Sequence, residues 1–335
     1  MHEASTPDLS IIIVNWNVRE LLRACLQSLT MDHGPWTVAG VSSIVYRPWS
    51  SEIIVVDNAS ADGSAVMVAA EFPAVRLIAN TENVGFTRGN NQGLAIARGR
   101  YLLFLNPDTE MVSDALATMV AYLEAHPEVG ALGPQLRYGN GSLQSSRRRF
   151  PTFTAALFES TPLAWHWPAN PWARWYRMED RPETFEVSAA AEVDWVVGAA
   201  MMARHAVLDQ IGGFDEGYFM YSEELDWCRR AKDVGWQIVY LPAAQVIHHE
   251  GKSSEQVVAA RHIRFQTSKV RYFRKYHGRG QAEALRVFIL LSFAVEWLIE
   301  AGKWLIGSLR PLRRERMAAY RQLLRSGLRA PSSRP

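Results

Sequence analysis

The fold is decided by the stretch Ser10-Ile11-Ile12-Ile13-Val14, which is followed directly by Asn15-Trp16-Asn17. A short, continuous run of β-branched residues is typical of a strand that is buried on both faces, as in parallel sheets. The helical spacing of apolar residues from Glu20 to Leu29 predicts a helix after this strand. A buried strand followed by a helix is the start of a βαβ unit, so the beginning of the chain predicts an α/β fold.

Three further apolar runs repeat this pattern, at Glu52–Val56, Val75–Ile78 and Tyr101–Leu105. Segments with helical spacing separate them, so strands and helices alternate through the first half of the chain. We therefore predict a Rossmann-like, mostly parallel central sheet flanked by helices. The Gly-, Pro- and Trp-bearing insertion from Met31 to Ser51 has no predicted place in this sheet.

Polar residues follow three of these strands at the point where each one ends. They are Asn15 after the first strand, Asp57-Asn58 after the second and Asn106-Pro107-Asp108 after the fourth. In open α/β sheets, ligands bind beyond the carboxyl ends of the strands. Ordinary turns also favour Asn and Asp, so one such cluster would mean little, but three at equivalent strand ends favour a ligand site.

Two residues in the chain suit a divalent cation. Asp108 is a carboxylate at the predicted rim of the sheet, and Mg²⁺ or Mn²⁺ takes few protein oxygens when phosphates supply the others. His248 ends a later apolar run, and an imidazole can join a carboxylate in a site for Mn²⁺ especially. An ordinary Asp turn and a surface His would explain the same residues, so both interpretations stay open at this point.

Two segments are candidates for holding phosphate. The Gly- and Asn-rich segment Asn80–Gly93 enters a predicted helix, where free backbone N–H groups can bind an anion. It matches neither the P-loop nor the dinucleotide-binding fingerprint, which disfavours a P-loop kinase and a Rossmann dehydrogenase. The basic cluster Arg147-Arg148-Arg149 could bind a phosphate or diphosphate through bidentate contacts, although a solvated charge run is nearly as consistent.

An acidic cluster lies within the stretch Gly213–Arg230, where Glu223, Glu224 and Asp226 fall within four positions beside Trp and Tyr residues. Like charges this close raise one another's pKa, which is how a carboxylate becomes a usable general base. Acids at the start of a helix also complement the helix dipole. The stretch alone is therefore consistent with catalysis and with a solvated helix start.

The C-terminal part combines an amphipathic helical pattern with an Arg-rich tail. Its apolar run Val287–Val295 is too short to span a bilayer, and Glu296 and Glu300 fall on the opposite face from most of its aliphatic residues. Residues 308–335 hold eight Arg and one Glu, a charge of +7, so the rest of the chain carries −5 of the net +2. We predict peripheral membrane contact through 285–330. A helix docked on the protein, or a dimer interface in a homo-oligomer, is the alternative.

Composition favours an intracellular globular protein. The chain of 335 residues is long enough for one large α/β domain with an appendage. Its first residues, Met1–Asp8, are polar, which predicts no signal peptide. Cys25 and Cys228 lack zinc-site spacing and suit a reducing compartment. We expect the protein in the cytoplasm, on the inner face of the cell membrane, without a nucleic-acid partner.

Taken in order, these motifs resemble the family 2 glycosyltransferases of the GT-A fold, and among them the rhamnosyltransferase-type enzymes of bacterial surface-polysaccharide synthesis. The resemblance covers residues 9–276. Besides the first strand, its landmarks are Val55–Ser64, Asn83–Phe86, Asn106–Asp108, Gly212–Asp215, Glu223–Asp226 and His248. It implies a catalytic domain at 1–277, with a nucleotide-binding half to about 135 and an acceptor half from 136, and a membrane-associating tail at 278–335.

The resemblance implies which residues would hold the donor, a nucleotide sugar. They are Asn15, Asp57, Asn58, Asn83, Gly85, Asn90, Asn106 and Asp108. Asp108 and His248 would also bind the Mg²⁺ or Mn²⁺ that bridges the donor diphosphate. Asn106 replaces the first Asp of the family's DXD motif, which is a departure from the family pattern at the predicted metal site.

The resemblance likewise implies roles on the acceptor side. Glu224 would be the general base, Glu223 would share that role, and Asp226 would orient the region or the acceptor sugar. Glu224 stands where Asp is more usual in the family, so its reach is one methylene longer. Three further residues, Trp195, Gly198 and Arg148, would line the acceptor side.

The activity implied is inverting, metal-dependent transfer of L-rhamnose from deoxythymidine-diphosphate rhamnose to a hydroxyl of a glycan or polyprenyl-linked glycan. A uridine-diphosphate sugar such as galactofuranose is the alternative donor. A sugar-1-phosphate nucleotidyltransferase would need a Gly-rich loop with Arg and Lys after the first strand, which Asn15-Trp16-Asn17 lacks. A non-enzymatic membrane or nucleic-acid adaptor would leave Asp108 and the acidic cluster unexplained.

Overall fold

A computed structural model describes residues 6–30, 50–180, 189–249, 258–307 and 309–329. Almost all of the insertion, residues 31–49, lies outside this described part. Contacts divide the chain into two compact units. The first comprises Met1–Phe150, Arg181–Gly217 and Glu223–Ser253, and the second comprises Pro151–Asp180, Tyr218–Ser222 and Ser254–Pro335. The expected division into a catalytic domain, 1–277, and a tail, 278–335, concerns function and stays a prediction.

The first unit is built on a sheet that has ten strands in the described part of the chain. Its strands are β1 (Leu9–Asn15), β2 (Ser51–Asp57), β3 (Arg76–Ala79), β4 (Tyr101–Leu105), β5 (Thr109–Met111), β6 (Val129–Arg137), β7 (Leu143–Gln144), β9 (Ala191–Val193), β11 (Ala200–Arg204) and β12 (Gln237–His248). Two short strands, β8 (Arg147–Arg148) and β10 (Trp195–Val196), pair separately.

The main path through the sheet runs in the order β3-β2-β1-β4-β11-β6-β12-β5. Along it, β3, β2, β1, β4, β6 and β12 point the same way, while β11 and β5 run against them. The prediction of a mostly parallel central sheet is therefore confirmed. β1 lies between β2 and β4, and its last residue, Asn15, is paired with Asp57 at the end of β2.

Two strand predictions in the second half of the chain need correction. The apolar segments 237–240 and 245–248 each predict a short strand, but they belong to one strand, β12, which has a register shift between Leu241 and Gln245. The run from Val193 to Gly198 predicts a single strand, but it is divided between β9 and β10, which pair with different partners. Periodicity did not show these features because each depends on the neighbouring strand rather than on the run itself.

Helices cover the sheet of the first unit. They are α1 (Arg19–Thr30), α2 (Ser64–Glu71), α3 (Phe86–Leu94), α4 (Ala115–Ala125), α8 (His205–Ile211) and α9 (Glu223–Asp233). Their apolar faces and the strands form a core in which Leu22, Leu26 and Met119 are fully buried. The sequence predicts Ser113 as the N-cap of a helix running to His126, which is wrong, because Ser113 has φ 49° and α4 begins after Asp114.

Two glycines allow α3 to lie directly on β1. A Cβ added to Gly93 would lie 2.5 Å from Ile12 Cγ2, and one added to Gly89 would lie 2.9 Å from Val14 Cγ1. The helix begins at Phe86 rather than at the predicted Asn90. Gly and Asn have low helix propensity, so packing against the strand, which the local sequence does not show, decides where this helix starts.

The second unit is helical in the part that the structure describes. It contains α5 (Phe153–Phe158), α6 (Pro162–His166), α7 (Pro171–Tyr176), α10 (Val258–Tyr276), α11 (Gly278–Leu305) and α12 (Arg310–Ser326). The predicted C-terminal amphipathic helices are thus present. Among the described residues, no helix combines the length and apolarity that crossing a bilayer requires.

Candidate active site

A buried hydrogen-bond network joins the carboxyl ends of β1 and β2. Asn15 Nδ2 donates to Asp57 Oδ1 at 2.8 Å and to Ser60 Oγ at 3.1 Å, and the Ser60 N–H donates to Asp57 Oδ2 at 2.9 Å. The Asn58 N–H donates to the Asn15 carbonyl at 2.9 Å. Asn15, Asp57 and Asn58 are at most 2% exposed. These hydrogen bonds therefore hold the ends of β1 and β2 in place. A nucleotide bound here would contact a rigid, polar surface.

The network continues into the Gly- and Asn-rich loop before α3. Asn58 Nδ2 donates to the Gly85 carbonyl at 3.1 Å, and the Gly85 N–H donates to Asn83 Oδ1 at 3.0 Å. Asn90 Nδ2 donates to the Phe86 carbonyl at 3.0 Å. The structure thus brings together Asn15, Asp57, Asn58, Asn83, Gly85 and Asn90, which the sequence placed at one donor site.

Asp108, which follows β4, and His248, the last residue of β12, lie close together. β12 pairs with β5, so that His248 lies opposite Thr109, the residue after Asp108. The distance from His248 Nε2 to Asp108 Oδ1 is 3.4 Å, and both residues are 5% exposed. Asn106 Nδ2 lies 3.5 Å from the same imidazole nitrogen. The two predicted metal ligands, Asp108 and His248, and the predicted donor-binding residue Asn106 are therefore neighbours in space.

Gln144, which the sequence did not single out, orients the imidazole of His248. His248 Nδ1 lies 3.0 Å from Gln144 Oε1, a buried amide oxygen that can only accept a hydrogen bond. In the tautomer with a proton on Nδ1, this nitrogen donates to Gln144 Oε1 and Nε2 faces Asp108. Orientation of this kind by a neighbouring acceptor is what a metal-binding His requires.

The donor set fits a divalent cation in part. A carboxylate with an imidazole is a mixed O/N set that Mn²⁺ accepts, and donor phosphates would supply further oxygens. Within the described residues, no group of three or more His, Cys, Asp or Glu is placed to hold a metal ion. Asp108 and His248 would therefore hold the cation only together with the phosphates of a bound donor.

The acidic cluster is divided by burial. Glu223 is 4% exposed and Asp226 is fully buried, whereas Glu224 is half-buried. Burial, and after it the charge of Glu224, raises the pKa of Glu223 well above its usual range. Glu223 therefore holds its proton at pH values where an ordinary Glu is ionised. Glu224 is the most exposed acid of the three, although its Oε2 atom is buried.

Gly198 lies in contact with Glu224. The Gly198 N–H donates to Glu224 Oε1 over 3.4 Å, and a Cβ added to Gly198 would lie 3.4 Å from three atoms of that side chain, which is an ordinary van der Waals contact. Gly198 follows β10, whose Trp195 is paired with Arg148 on β8. The structure thus brings Gly198 to Glu224 and Trp195 to Arg148, and their role toward an acceptor stays a prediction.

Two of these predicted acceptor residues are engaged with the protein itself. Trp195 is 7% exposed and donates its Nε1–H to the Arg149 carbonyl at 3.0 Å. Arg148 donates to Ser145 Oγ at 2.8 Å and to the Arg147 carbonyl. Both side chains stabilise the β8–β10 pair, so they would act on an acceptor mainly by holding Gly198 in place.

Asp226 belongs to a buried clamp on α9. Arg230 Nε donates to Asp226 Oδ2 at 2.9 Å, and the same guanidinium donates to the carbonyls of Ile211 and Gly213 at 2.5 and 2.7 Å. These bonds tie α9 to the Gly212-Gly213 turn. Asp226 therefore positions the helix that carries Glu224. Sequence reasoning missed Arg230, although its spacing of four residues from Asp226 was a usable signal.

Comparison with known proteins shows the family to which the chain belongs. The model for glycosyl transferase family 2 matches residues 10–188, which is more than half of the chain. The N-acetylglucosaminyl-diphospho-decaprenol L-rhamnosyltransferase of Mycobacterium tuberculosis is 31% identical over 241 residues, 68% of this chain and 76% of the relative. The rhamnosyltransferase WbbL of Escherichia coli is 31% identical over 173 residues, 49% of this chain and 61% of the relative.

A solved structure has the same fold. The mannosyltransferase PcManGT of Pyrobaculum calidifontis, in complex with GDP-Man and Mn²⁺, has a TM-score of 0.53 at 19% identity, over 97% of this chain and 86% of that chain. The chain belongs to glycosyl transferase family 2, has the GT-A fold and is a glycosyltransferase. The resemblance inferred from the motifs is confirmed, and the nucleotidyltransferase and adaptor interpretations are set aside.

Proposed function

We propose that the protein transfers L-rhamnose from deoxythymidine-diphosphate rhamnose to a hydroxyl of a lipid-linked glycan, with inversion, in surface-polysaccharide synthesis. The names of two relatives, each 31% identical, support rhamnose as the sugar, and the name of the mycobacterial relative also supports a diphospho-polyprenol acceptor. The observation that carries the mechanism is the half-buried Glu224, held at Gly198 beside the buried, proton-holding Glu223.

Glu224 removes the proton from the acceptor hydroxyl in this proposal. The resulting oxygen attacks the anomeric carbon from the side opposite the diphosphate, so that one C–O bond forms while the bond to the leaving diphosphate breaks. With Glu223 neutral, the pair carries at most one negative charge, and the proposal places that charge on Glu224 as the base. General-base catalysis of this kind contributes about 10²–10⁴-fold to the rate.

The residues at the strand ends would bind and orient the donor. The buried wall of Asn15, Asp57 and Asn58 would position the nucleoside, and the loop from Asn83 to Asn90 would lie near the phosphates. A Mg²⁺ or Mn²⁺ ion held by Asp108 and His248 would supply positive charge that stabilises the diphosphate leaving group. Asn106 has no carboxylate, so Asp108 would be the one negatively charged ligand that these residues supply to the ion.

A panel of nucleotide sugars tests the proposed donor. Purified protein is incubated with a diphospho-polyprenol acceptor bearing one sugar, Mn²⁺ and either deoxythymidine-diphosphate rhamnose or a uridine-diphosphate sugar such as galactofuranose. Mass spectrometry of the lipid product is expected to show one added deoxyhexose from the first donor. Transfer only from the uridine-diphosphate sugar would contradict the donor assignment while leaving the transferase family intact.

We further propose that the second unit holds the protein on the inner face of the cell membrane. One face of α11 exposes a row of aliphatic residues that continues past its end. They are Val287, Leu291, Val295, Leu298, Leu305, Ile306 and Leu309, which are 42% to 87% exposed. Six arginines near them are also exposed: Arg310, Arg314, Arg316, Arg321, Arg325 and Arg329. Exposed aliphatics beside arginines suit the interface of an anionic bilayer.

The opposite face of α11 is turned inward, where Leu285, Ile289 and Phe293 are buried together with two carboxylates. Glu300 is 3% exposed and receives Arg313 at 2.7 Å, and Glu296 is 7% exposed and lies 2.8 Å from His166 Nε2. The helix therefore has apolar side chains on its exposed face as well as on its buried face, whereas an ordinary surface helix has one apolar face. This second apolar face supports a lipid surface as its neighbour.

A double substitution tests the membrane proposal. Leu291→Ser with Leu298→Ser removes two leucines that are each 63% exposed, so the fold should hold while binding to anionic vesicles weakens by at least about tenfold. Val66→Ser is the matched control, since Val66 is 74% exposed on α2 in the first unit. Unchanged vesicle sedimentation in the double variant would refute the membrane face.

A further inference from the structure

The second unit contains an open cavity of about 1220 Å³ for which the transfer reaction has no use. Its aromatic lining comes from three helices: Trp165 of α6, His262 of α10 and Tyr320 of α12. All three rings contact Phe293 of α11, with ring centroids 6.1, 5.9 and 5.5 Å from it. The cavity therefore has an aromatic base built from side chains that pack on one another.

The charged part of the lining is basic. Among the described residues, Arg316, Arg321 and Arg325 of α12 line the cavity together with one carboxylate, Glu315, which leaves a formal excess of two positive charges in that part of the lining. A guanidinium offers a planar fork of N–H donors that matches phosphate oxygens in pairs. An excess of such groups over carboxylates favours a phosphate-bearing ligand.

The three arginines differ in how they are engaged. Arg321 lies over the Trp297 ring, 5.9 Å from its centroid, which leaves its N–H edge available. Arg316 is 3.4 Å from Glu300, but Arg313 contacts that carboxylate more closely, at 2.7 Å. Among the described residues, no carboxylate forms an ion pair with Arg325, and its side chain is exposed. Arg325 is thus the arginine most available to a ligand.

Apart from Gln322, the rest of the described lining is apolar, and it extends toward the aliphatic face described above. Ala259, Ala260 and Ala319 add methyl groups, and Leu312, which is 40% exposed, lines the cavity at the start of α12. Leu309, 63% exposed, lies three residues before it. A free anion or a sugar would gain nothing from this apolar edge, whereas a hydrocarbon chain joined to a phosphate would.

We propose that this cavity binds a phosphate that is esterified to a hydrocarbon chain. Two sources share this chemistry: a glycerophospholipid of the membrane, and a prenyl phosphate. The phosphate contacts Arg325 and Arg321, and the chain passes Leu312 toward the bilayer. The site rests on the proposed membrane location and is independent of which sugar the first unit transfers.

Calorimetric titration with monomeric lipids in solution tests the site. Three probes are compared: dihexanoylphosphatidylglycerol below its micellar concentration, geranyl monophosphate, and inorganic phosphate. We expect one or both lipids to bind, and inorganic phosphate to bind at least about tenfold more weakly, since it lacks the apolar contribution. The lipid that binds more tightly identifies the source.

Two variants with the same change in charge locate the site. Arg325→Gln should weaken lipid binding at least about tenfold, because a charge-assisted hydrogen bond is lost. Arg314→Gln is the control, since Arg314 is exposed on the same helix but does not line the cavity. Thermal melting of both variants establishes that they are folded, and transfer to a water-soluble acceptor should be unchanged in both.

Three outcomes would overturn the proposal: no binding of either lipid, equal affinity for inorganic phosphate, or equal weakening by both substitutions. These outcomes are separate from a failure of the proposed function, which shows itself in the donor panel and in vesicle sedimentation. The titration uses neither a sugar donor nor a bilayer.

Discussion

Replacing Arg230 by Met would test whether Asp226 is a structural residue rather than a second base. In the structure, Arg230 is the ion-pair partner of a carboxylate with a fully buried side chain, and it also satisfies two carbonyls of the neighbouring turn. Removing one partner of a buried pair leaves an uncompensated charge and costs about 3–5 kcal/mol. Since whole domains are stable by only about 5–15 kcal/mol, we expect a large loss of stability.

A double substitution separates charge from packing. In Arg230→Met with Asp226→Asn, no buried carboxylate is left unpaired, so about half or more of the lost stability should return. Urea unfolding, followed by far-ultraviolet circular dichroism, gives the free energy for wild type, the two single variants and the double variant. A loss below about 1 kcal/mol in Arg230→Met would refute the clamp. So would abolished transfer in a fully stable Asp226→Asn, because Asp226 would then act on substrate.

Two further predictions follow from the site. The pKa of Glu223 is higher in the folded protein than in the unfolded chain. The folded state therefore binds more protons, and the free energy of unfolding falls as pH rises above about 4.3, the pKa of a Glu in an unfolded chain. The difference in the free energy of unfolding between Glu223→Gln and wild type should therefore shift in favour of the variant as pH rises, by up to about 1.4 kcal/mol per pH unit. Urea titrations from acid to neutral pH measure this difference. A difference that does not depend on pH would contradict the prediction. Gln144→Met removes the acceptor that orients His248, and should weaken Mn²⁺ binding about 10–100-fold in calorimetry with nucleoside diphosphate present. Unchanged Mn²⁺ affinity would mean that His248 is no ligand.

The order of motifs was enough to predict the family, the GT-A fold and the strand ends at which polar residues gather. These predictions succeeded because a buried parallel strand is recognisable from a short continuous apolar run, as in Ser10–Val14. A parallel sheet also brings the carboxyl ends of its strands to one edge. Asn15 and Asp57 are adjacent in the register for that reason alone. Their mutual hydrogen bond follows from the topology rather than from sequence spacing.

What the sequence could not show depends on distant partners. Gln144 orients His248 across 104 positions, and no local pattern marks it. From the sequence, Glu300 of α11 would be expected in contact with solvent. It is buried because it forms an ion pair with Arg313, which lies on the next helix, α12. Glu223 and Glu224 are adjacent and alike in sequence, and only the structure shows that Glu223 is the more buried of the two and has the raised pKa.

The most direct test of the account is the turnover of Glu224→Gln. Gln has nearly the same size and lacks the carboxylate, so donor binding, measured by calorimetry with the nucleoside diphosphate, should be unchanged. Single-turnover transfer should fall by about 10²–10⁴-fold, and Glu224→Asp, which restores a carboxylate, should recover part of the rate. Wild-type turnover in Glu224→Gln would contradict the account and place the general base on another residue.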